Sequence, residues 1–369
     1  MILGQTDGER RGWGWVAHLR AGGTTPWQAW TGLAEAGGRY LPGAQQLELL
    51  RRVNQVSAPS QRLAERVLAA SAPGRGRPDL ELVGAASPSR FGPAPVDPAA
   101  LPPDELVRVA TSLVADDLVA AGPIATPAPR RTRVVRRRYR IIGDPLVADS
   151  VRAELIADGR PPGGRLDRRN GAVVVVGVEL SRLLAHTWTA RCFAVGAPAW
   201  SEWVSVLAAA DRLPPRVDLA RACAEYAARL EPRRVHVVFD HDQIAPLVGV
   251  RHRFVTDTDL PAQAVELARR TAPVLGLLVT PPARRALLER LRHWLSEATG
   301  PTIAVPPRTR DWVAERAQGM RRDLIAGGYA VHGDLGVLTA GMAAGIAEPS
   351  EEGVLALAIE LLLDPREVE

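Results

Sequence analysis

The chain has no lysine. All 46 of its basic side chains are arginine, spread over 369 residues. This excludes a Walker-type phosphate loop with its lysine, a lysine Schiff base and a pyridoxal-phosphate lysine. Anions have to be held by arginine, by backbone N–H groups or by helix N-termini. GC-rich codon usage, which also explains the alanine, glycine and proline load, accounts for the bias without any function. Cysteine is scarce as well. Cys192 and Cys223 have no CxxC spacing, so neither a disulfide framework nor a zinc cluster is expected. Both lie in apolar helical patterns and read as buried thiols. Long hydrophobic runs are missing: Val274–Val279 and Val354–Leu363 are too short to cross a bilayer. Met1–Arg11 is polar and has no apolar stretch of signal-peptide type, so a reducing cytoplasm and no membrane association are expected.

Hydrophobic residues make up 46% of the chain, enough for a sizeable core and for two domains. The net charge of +5 is concentrated. Residues 1–129 are balanced, and residues 141–369 are slightly acidic. The stretch RRTRVVRRRYR at 130–140 holds 7 arginines and no acid. It reads first as a solvated linker leading into an edge strand, and second as a polyanion site or a charged protein interface. It contains one tyrosine and no interleaved aromatic series, so nucleic acid is not an expected partner.

Four of the 9 tryptophans, Trp13, Trp15, Trp27 and Trp30, open the chain. Thr25 before Pro26 predicts an N-cap followed by a helix through Trp27, Trp30 and Leu33. Further helices are expected around Leu47–Val53, Leu63–Leu68 and Leu101–Ala121, with a long Pro/Gly-rich connection over 72–103. Beyond residue 137 short β-branched runs alternate with helical patterns. Strands are predicted at 139–142, 172–176, 235–239 and 302–305, and more weakly at 274–279. Helices are predicted at 146–157, 179–193, 200–210, 217–230, 261–271, 282–297, 308–327 and 351–363. This alternation predicts an α/β fold: a three-layer, mostly parallel sheet with helices on both faces, preceded by a helical N-terminal region. The expected division is 1–125 helical, 126–140 an Arg-rich linker or edge, 137–340 the α/β domain and 341–369 a helical appendage. No internal repeat is expected.

Ligands of open parallel sheets bind beyond the carboxyl ends of the strands. Two such ends carry polar groups. Gly177-Val178-Glu179-Leu180-Ser181 offers Gly177, Glu179 and Ser181 for a ligand, or plain capping by Glu179 or Ser181. Asp240-His241-Asp242 offers His241 as a general base, or a polar loop that caps the next helix. Arg20-Ala-Gly-Gly-Thr24-Thr25 combines an arginine, two hydroxyls and a helix start as an anion candidate. Gly159–Arg165, with Arg165 at its end, is a weaker one. His186 on the helix after the central strand is either a satisfied semi-buried histidine or a candidate base, His18 beside the tryptophans is the other candidate base, and His236 reads as core. No third ligand completes a metal site.

Three stretches resemble PAPS-dependent sulfotransferases of the actinobacterial kind. They are AVVVVGVELSRLLAHTWTARC (172–192), the segment Trp200–Asp240 containing ACAEYAARLEPRRVHVV, and VPPRTRDWVAERAQGMRRDLIAGGYAVHGDL (305–335). They cover about a quarter of the chain. The resemblance implies a three-layer α/β fold, PAPS as donor, and transfer of a group to a hydroxyl acceptor with His241, His186 or His18 as base. The positions that align with the family's 3′-phosphate ligands are Val178 and His186. The composition itself names no cofactor, only an anionic small molecule or a protein as partner. The alternative is a non-catalytic binding or assembly module of the same fold. It would use the Trp-rich N-terminus and the Arg stretch 130–140 as contact surfaces.

Overall fold

The computed structural model describes residues 6–35, 37–38, 40–70, 80–85, 94–125, 138–163, 166, 171–254 and 259–364. The helices among them are α1 (Asp7–Arg20), α2 (Ala44–Val56), α3 (Gln61–Ala69), α4 (Pro103–Ala121), α5 (Pro145–Ala157), α6 (Leu180–Cys192), α7 (Trp200–Ala209), α8 (Leu219–Ala227), α9 (Ile244–Val248), α10 (Ala262–Leu278), α11 (Pro281–Trp294), α12 (Arg310–Ala326) and α13 (Glu351–Leu363). The strands are β1 (Arg138–Gly143), β2 (Gly171–Val176), β3 (Val235–Val238) and β4 (Ala330–His332). The chain forms two compact units. One comprises Met1–Ile124, Glu266–Leu295 and Ser350–Glu369, the other Ala125–Val265 and Ser296–Pro349.

The helical unit is built around α4, which is buried along most of its length, against α13 and α2. The C-terminal helix is therefore part of this core. Trp15 and Trp27 are buried beside each other, and both indole N–H groups are bonded, to the carbonyls of Thr25 and Val83. The expected helix through Trp27 and Leu33 does not form; only a single 3₁₀ turn, Trp27–Ala29, is present. Arg11 takes the carbonyls of Trp27 and Trp30 at 2.7 and 2.9 Å, acceptors that a longer helix would need for itself. Thr25 makes no side-chain cap.

Two helices carry a similar short pattern, visible once they are placed. AQQLELLRRVNQV of α2 and AQAVELARRTAPV of α10 share alanine, glutamine, glutamate, leucine, two arginines and valine at the same positions. In both, a buried glutamate is held by the two arginines one turn on: Glu48 by Arg51 and Arg52, Glu266 by Arg269 and Arg270. The second arginine of each pair also reaches an acid that opens α13, Glu352 from Arg52 and Glu351 from Arg270. A buried carboxylate is tolerable only when paired in this way. The two arginines kept in both helices are thus the ones that satisfy the buried glutamate.

The α/β unit holds a four-stranded sheet, all parallel, in the order β1-β2-β3-β4. Successive side chains alternate between its faces. Tyr139, Ile141, Val174, Val176 and Val238 form one core with α5 and α9. Val173, Val175, Val235 and Val237, fully buried, face the other way, towards α8. Helices on both faces make the three layers expected. The run at 302–305 contributes only one bridge, Ile303 to Ile346, because Pro301 and Pro306 remove the donors a strand would extend through. Residues 274–278 continue α10 instead of forming a strand. The short strand β4 was not expected, since three residues carry no readable period.

Both cysteines are buried, and burial pushes the Cys223 thiol up to about 12. Thiolates are the reactive form. Ellman's reagent is therefore expected to label neither cysteine in the native protein and both in guanidinium. Rapid native labelling would contradict that burial.

Candidate active site

The carboxyl ends of β1 and β2 build a polar constellation in the α/β unit. Gly143 ends β1 at φ +97°, and an added Cβ would sit 2.1 Å from the Val176 carbonyl oxygen. Only glycine lets the chain turn so close to β2. The turn delivers Asp144, whose N–H still bonds Val176 O at 2.9 Å. Asp144 is fully buried. Its Oδ1 accepts the N–H groups of Leu146 and Val147, capping α5, with Pro145 at the first helical position. Its Oδ2 faces Nδ1 of His186 at 2.6 Å.

His186 projects from α6 and is itself buried. Its Nε2 lies 2.7 Å from Oδ1 of Asp259. A proton has to lie between those two atoms for that contact to be a hydrogen bond. The other Asp259 oxygen is taken by Arg182, one turn before His186 on the same helix. A continuous chain results: backbone N–H groups, Asp144, His186, Asp259, Arg182. It borders a cavity of about 250 Å³ whose wall includes Glu179, Arg182, His186, Thr189, Asp259 and Thr302. Glu179 bonds the Ser181 hydroxyl and accepts the Ala343 N–H at 3.0 Å. Asp144 is sealed off, while Asp259 is 21% exposed and Arg182 50%. One carboxylate therefore fixes the ring and the other faces the cavity.

Of the residues singled out in sequence, His186 and Glu179 lie in this wall, and Ser181 lies next to it through Glu179. Ser181 is not free to bind a ligand, because its oxygen is shared by Glu179 and Ala343. Gly177 has given its N–H to Val238 and its carbonyl to His241 Nε2, and it packs on the Phe239 ring. His241 starts a 3₁₀ turn capped by Asp240, which fits the capping alternative and leaves it outside the cavity wall. His18, Arg20, Thr24 and Thr25 belong to the helical unit. His18 stacks on Trp30 at 4.5 Å, and Arg20 pairs with Glu65. Arg165 and the arginines at 130–137 lie outside the described residues. Within the Gly159–Arg165 turn, Arg160 bonds the Gly249 carbonyl and Gly163 N–H bonds Tyr139 O, a structural closure. His236 is half-buried rather than core. Its Nδ1 meets Nε2 of His332 at 3.0 Å, and burial, then His332, holds its pKa below the usual value. Among the described residues, no group of three potential ligands could hold a metal.

Asp144, Asp259 and Arg182 were missed in sequence. Asp144 had a signal: an acid between a strand end and Pro145. Asp259 had none, being 73 residues from His186.

Comparison with protein-family models, curated proteins and solved structures returns no match.

Proposed function

We propose that the α/β unit is a group-transfer enzyme in which His186 removes a proton from a hydroxyl group or water bound in the cavity. The carrying observation is the Asp144–His186 pair. A buried carboxylate, immobilised by two backbone N–H groups, holds Nδ1 and aims Nε2 at the cavity. This is the arrangement that sets the tautomer and orientation of a histidine base. Arg182 supplies positive charge beside the same cavity. The resemblance to sulfotransferases supplies an acceptor hydroxyl as substrate and PAPS as donor. The wall itself favours a smaller ligand. Among the described residues one arginine stands against Glu179 and Asp259, and the volume equals about eight waters at ~30 Å³ each.

The test has two arms. Calorimetric titration with PAPS and adenosine 3′,5′-bisphosphate reads the donor, and absence of heat at millimolar nucleotide removes it. Release of nitrophenolate from p-nitrophenyl esters, phosphate and sulfate reads the base. His186→Gln is expected to lower the rate by about 10²- to 10⁴-fold, the usual worth of a positioned base. Equal rates for both proteins across the panel would end the proposal.

A further inference from the structure

Asp259 satisfies two cavity groups at once, and it does so with separate oxygens. Oδ1 meets Nε2 of His186 and Oδ2 meets Arg182. The contact with Arg182 is the one an incoming carboxylate would make, since guanidinium N–H groups recognise paired oxygens. Asp259 differs from Asp144 in every respect that matters here. Asp144 is sealed and has both oxygens committed, to the α5 backbone and to the ring; Asp259 faces the cavity, and its bonding partners among the described residues, His186 and Arg182, themselves line it. The histidine needs one fixed carboxylate to orient it, and Asp144 is that one. The second carboxylate instead covers the ring nitrogen that has to meet substrate.

We propose that Asp259 occupies the subsite of a substrate carboxylate, and that the site's ligand is a small monocarboxylate that displaces Asp259 from His186 and Arg182, its own carboxylate pairing with Arg182. The proposal rests on the reading of this cavity as the active site. Charge selects the class. A monoanion exchanges one for one with the Asp259 carboxylate, whereas a dianion meets Glu179 across the wall with Arg182 as the only arginine among the described residues lining the cavity. Size agrees, because the cavity holds the volume of about eight waters. Binding would uncover Nε2 only when a ligand is present, so proton abstraction and occupancy are tied together.

Sodium acetate titrated calorimetrically into the full chain, at ionic strength fixed with chloride, tests this. Asp259→Ala is expected to bind acetate at least tenfold more tightly than the unaltered protein. Adding Arg182→Gln to that variant is expected to remove the gain. Far-UV circular dichroism checks the fold. Should Asp259→Ala not fold, Asp259→Asn keeps the shape, loses the charge and is expected to gain severalfold. No gain in either variant overturns the proposal. So does a gain that survives Arg182→Gln, or one as large for sulfate as for acetate. The base reading fails separately: nitrophenolate release would be equal in His186→Gln while the acetate gain stands.

Discussion

Gly143→Ala is expected to destabilise the α/β unit by about 3–5 kcal/mol, adding the cost of a strained positive φ to that of overpacking a fixed core. The residue sits at φ +97°, where L side chains are rare. Its added Cβ would lie 2.1 Å from Val176 O and 2.9 Å from Val176 N, both backbone atoms of the central strand. No side chain can swing aside. Relief requires β1 and β2 to part at the point where Asp144 N–H bonds Val176 O. Gly249→Ala is the matched control. Gly249 also has a positive φ, +74°, but an added Cβ there meets nothing within 4 Å. That variant carries the backbone term alone, on the order of 1 kcal/mol. Urea unfolding followed by hydrogen exchange in β2 peptides separates the two. Equal midpoints would show that β2 yields to the added carbon. The functional consequence is local: the displaced group is Asp144, so residual activity in folded Gly143→Ala should fall as well.

The architecture was legible where side-chain periodicity is long or continuous. The run Val173–Val176 announced a strand buried on both faces, and β2 is flanked by β1 and β3 as such a run requires. The C-terminal helix was read with its bounds, Glu351–Leu363, but as an appendage. Its place against α4 depends on partners more than two hundred residues away, which no local pattern reports. The helix expected after Thr25 failed for a similar reason: Arg11, on another element, takes its carbonyls. At the site, His186 was visible but undecided between a satisfied core histidine and a base, because the deciding atoms belong to Asp144 and Asp259. Strand-end logic pointed at the correct edge of the sheet. It favoured the loops after β2 and β3, whereas the buried carboxylate follows β1. The acid that caps α5 carries no mark in the sequence beyond its place before Pro145, yet its second oxygen is the one that matters.

That double use of Asp144 predicts a split between two substitutions. Asp144→Ala removes the α5 cap, costing about 0.5–2 kcal/mol, and strands a buried imidazole N–H, costing about 1–3 kcal/mol more. The variant should be poorly stable and inactive, which alone would say little about chemistry. Asp144→Asn is the informative change. The amide oxygen can keep the N–H groups of Leu146 and Val147, so α5 retains its cap and the cavity its shape. The amide nitrogen then faces Nδ1 as a donor. Two donors cannot face each other, so the ring must carry its proton on Nε2 instead. Nε2 is the atom proposed to accept the substrate proton. Asp144→Asn should therefore unfold close to the unaltered protein, within about 1 kcal/mol, while nitrophenolate release falls by about 10²- to 10⁴-fold, as for loss of the base itself. Urea midpoints and turnover on the same preparations read both quantities. A stable Asp144→Asn protein with undiminished turnover would mean that proton placement on His186 is not set from β1, and the chain running from the α5 backbone to the cavity would then be structural. The tautomer can also be read directly, from the ¹⁵N shifts of the His186 ring. A proton on Nδ1, facing Asp144, in the unaltered protein and none there in Asp144→Asn is the expected pair, and it holds whatever substrate the cavity takes.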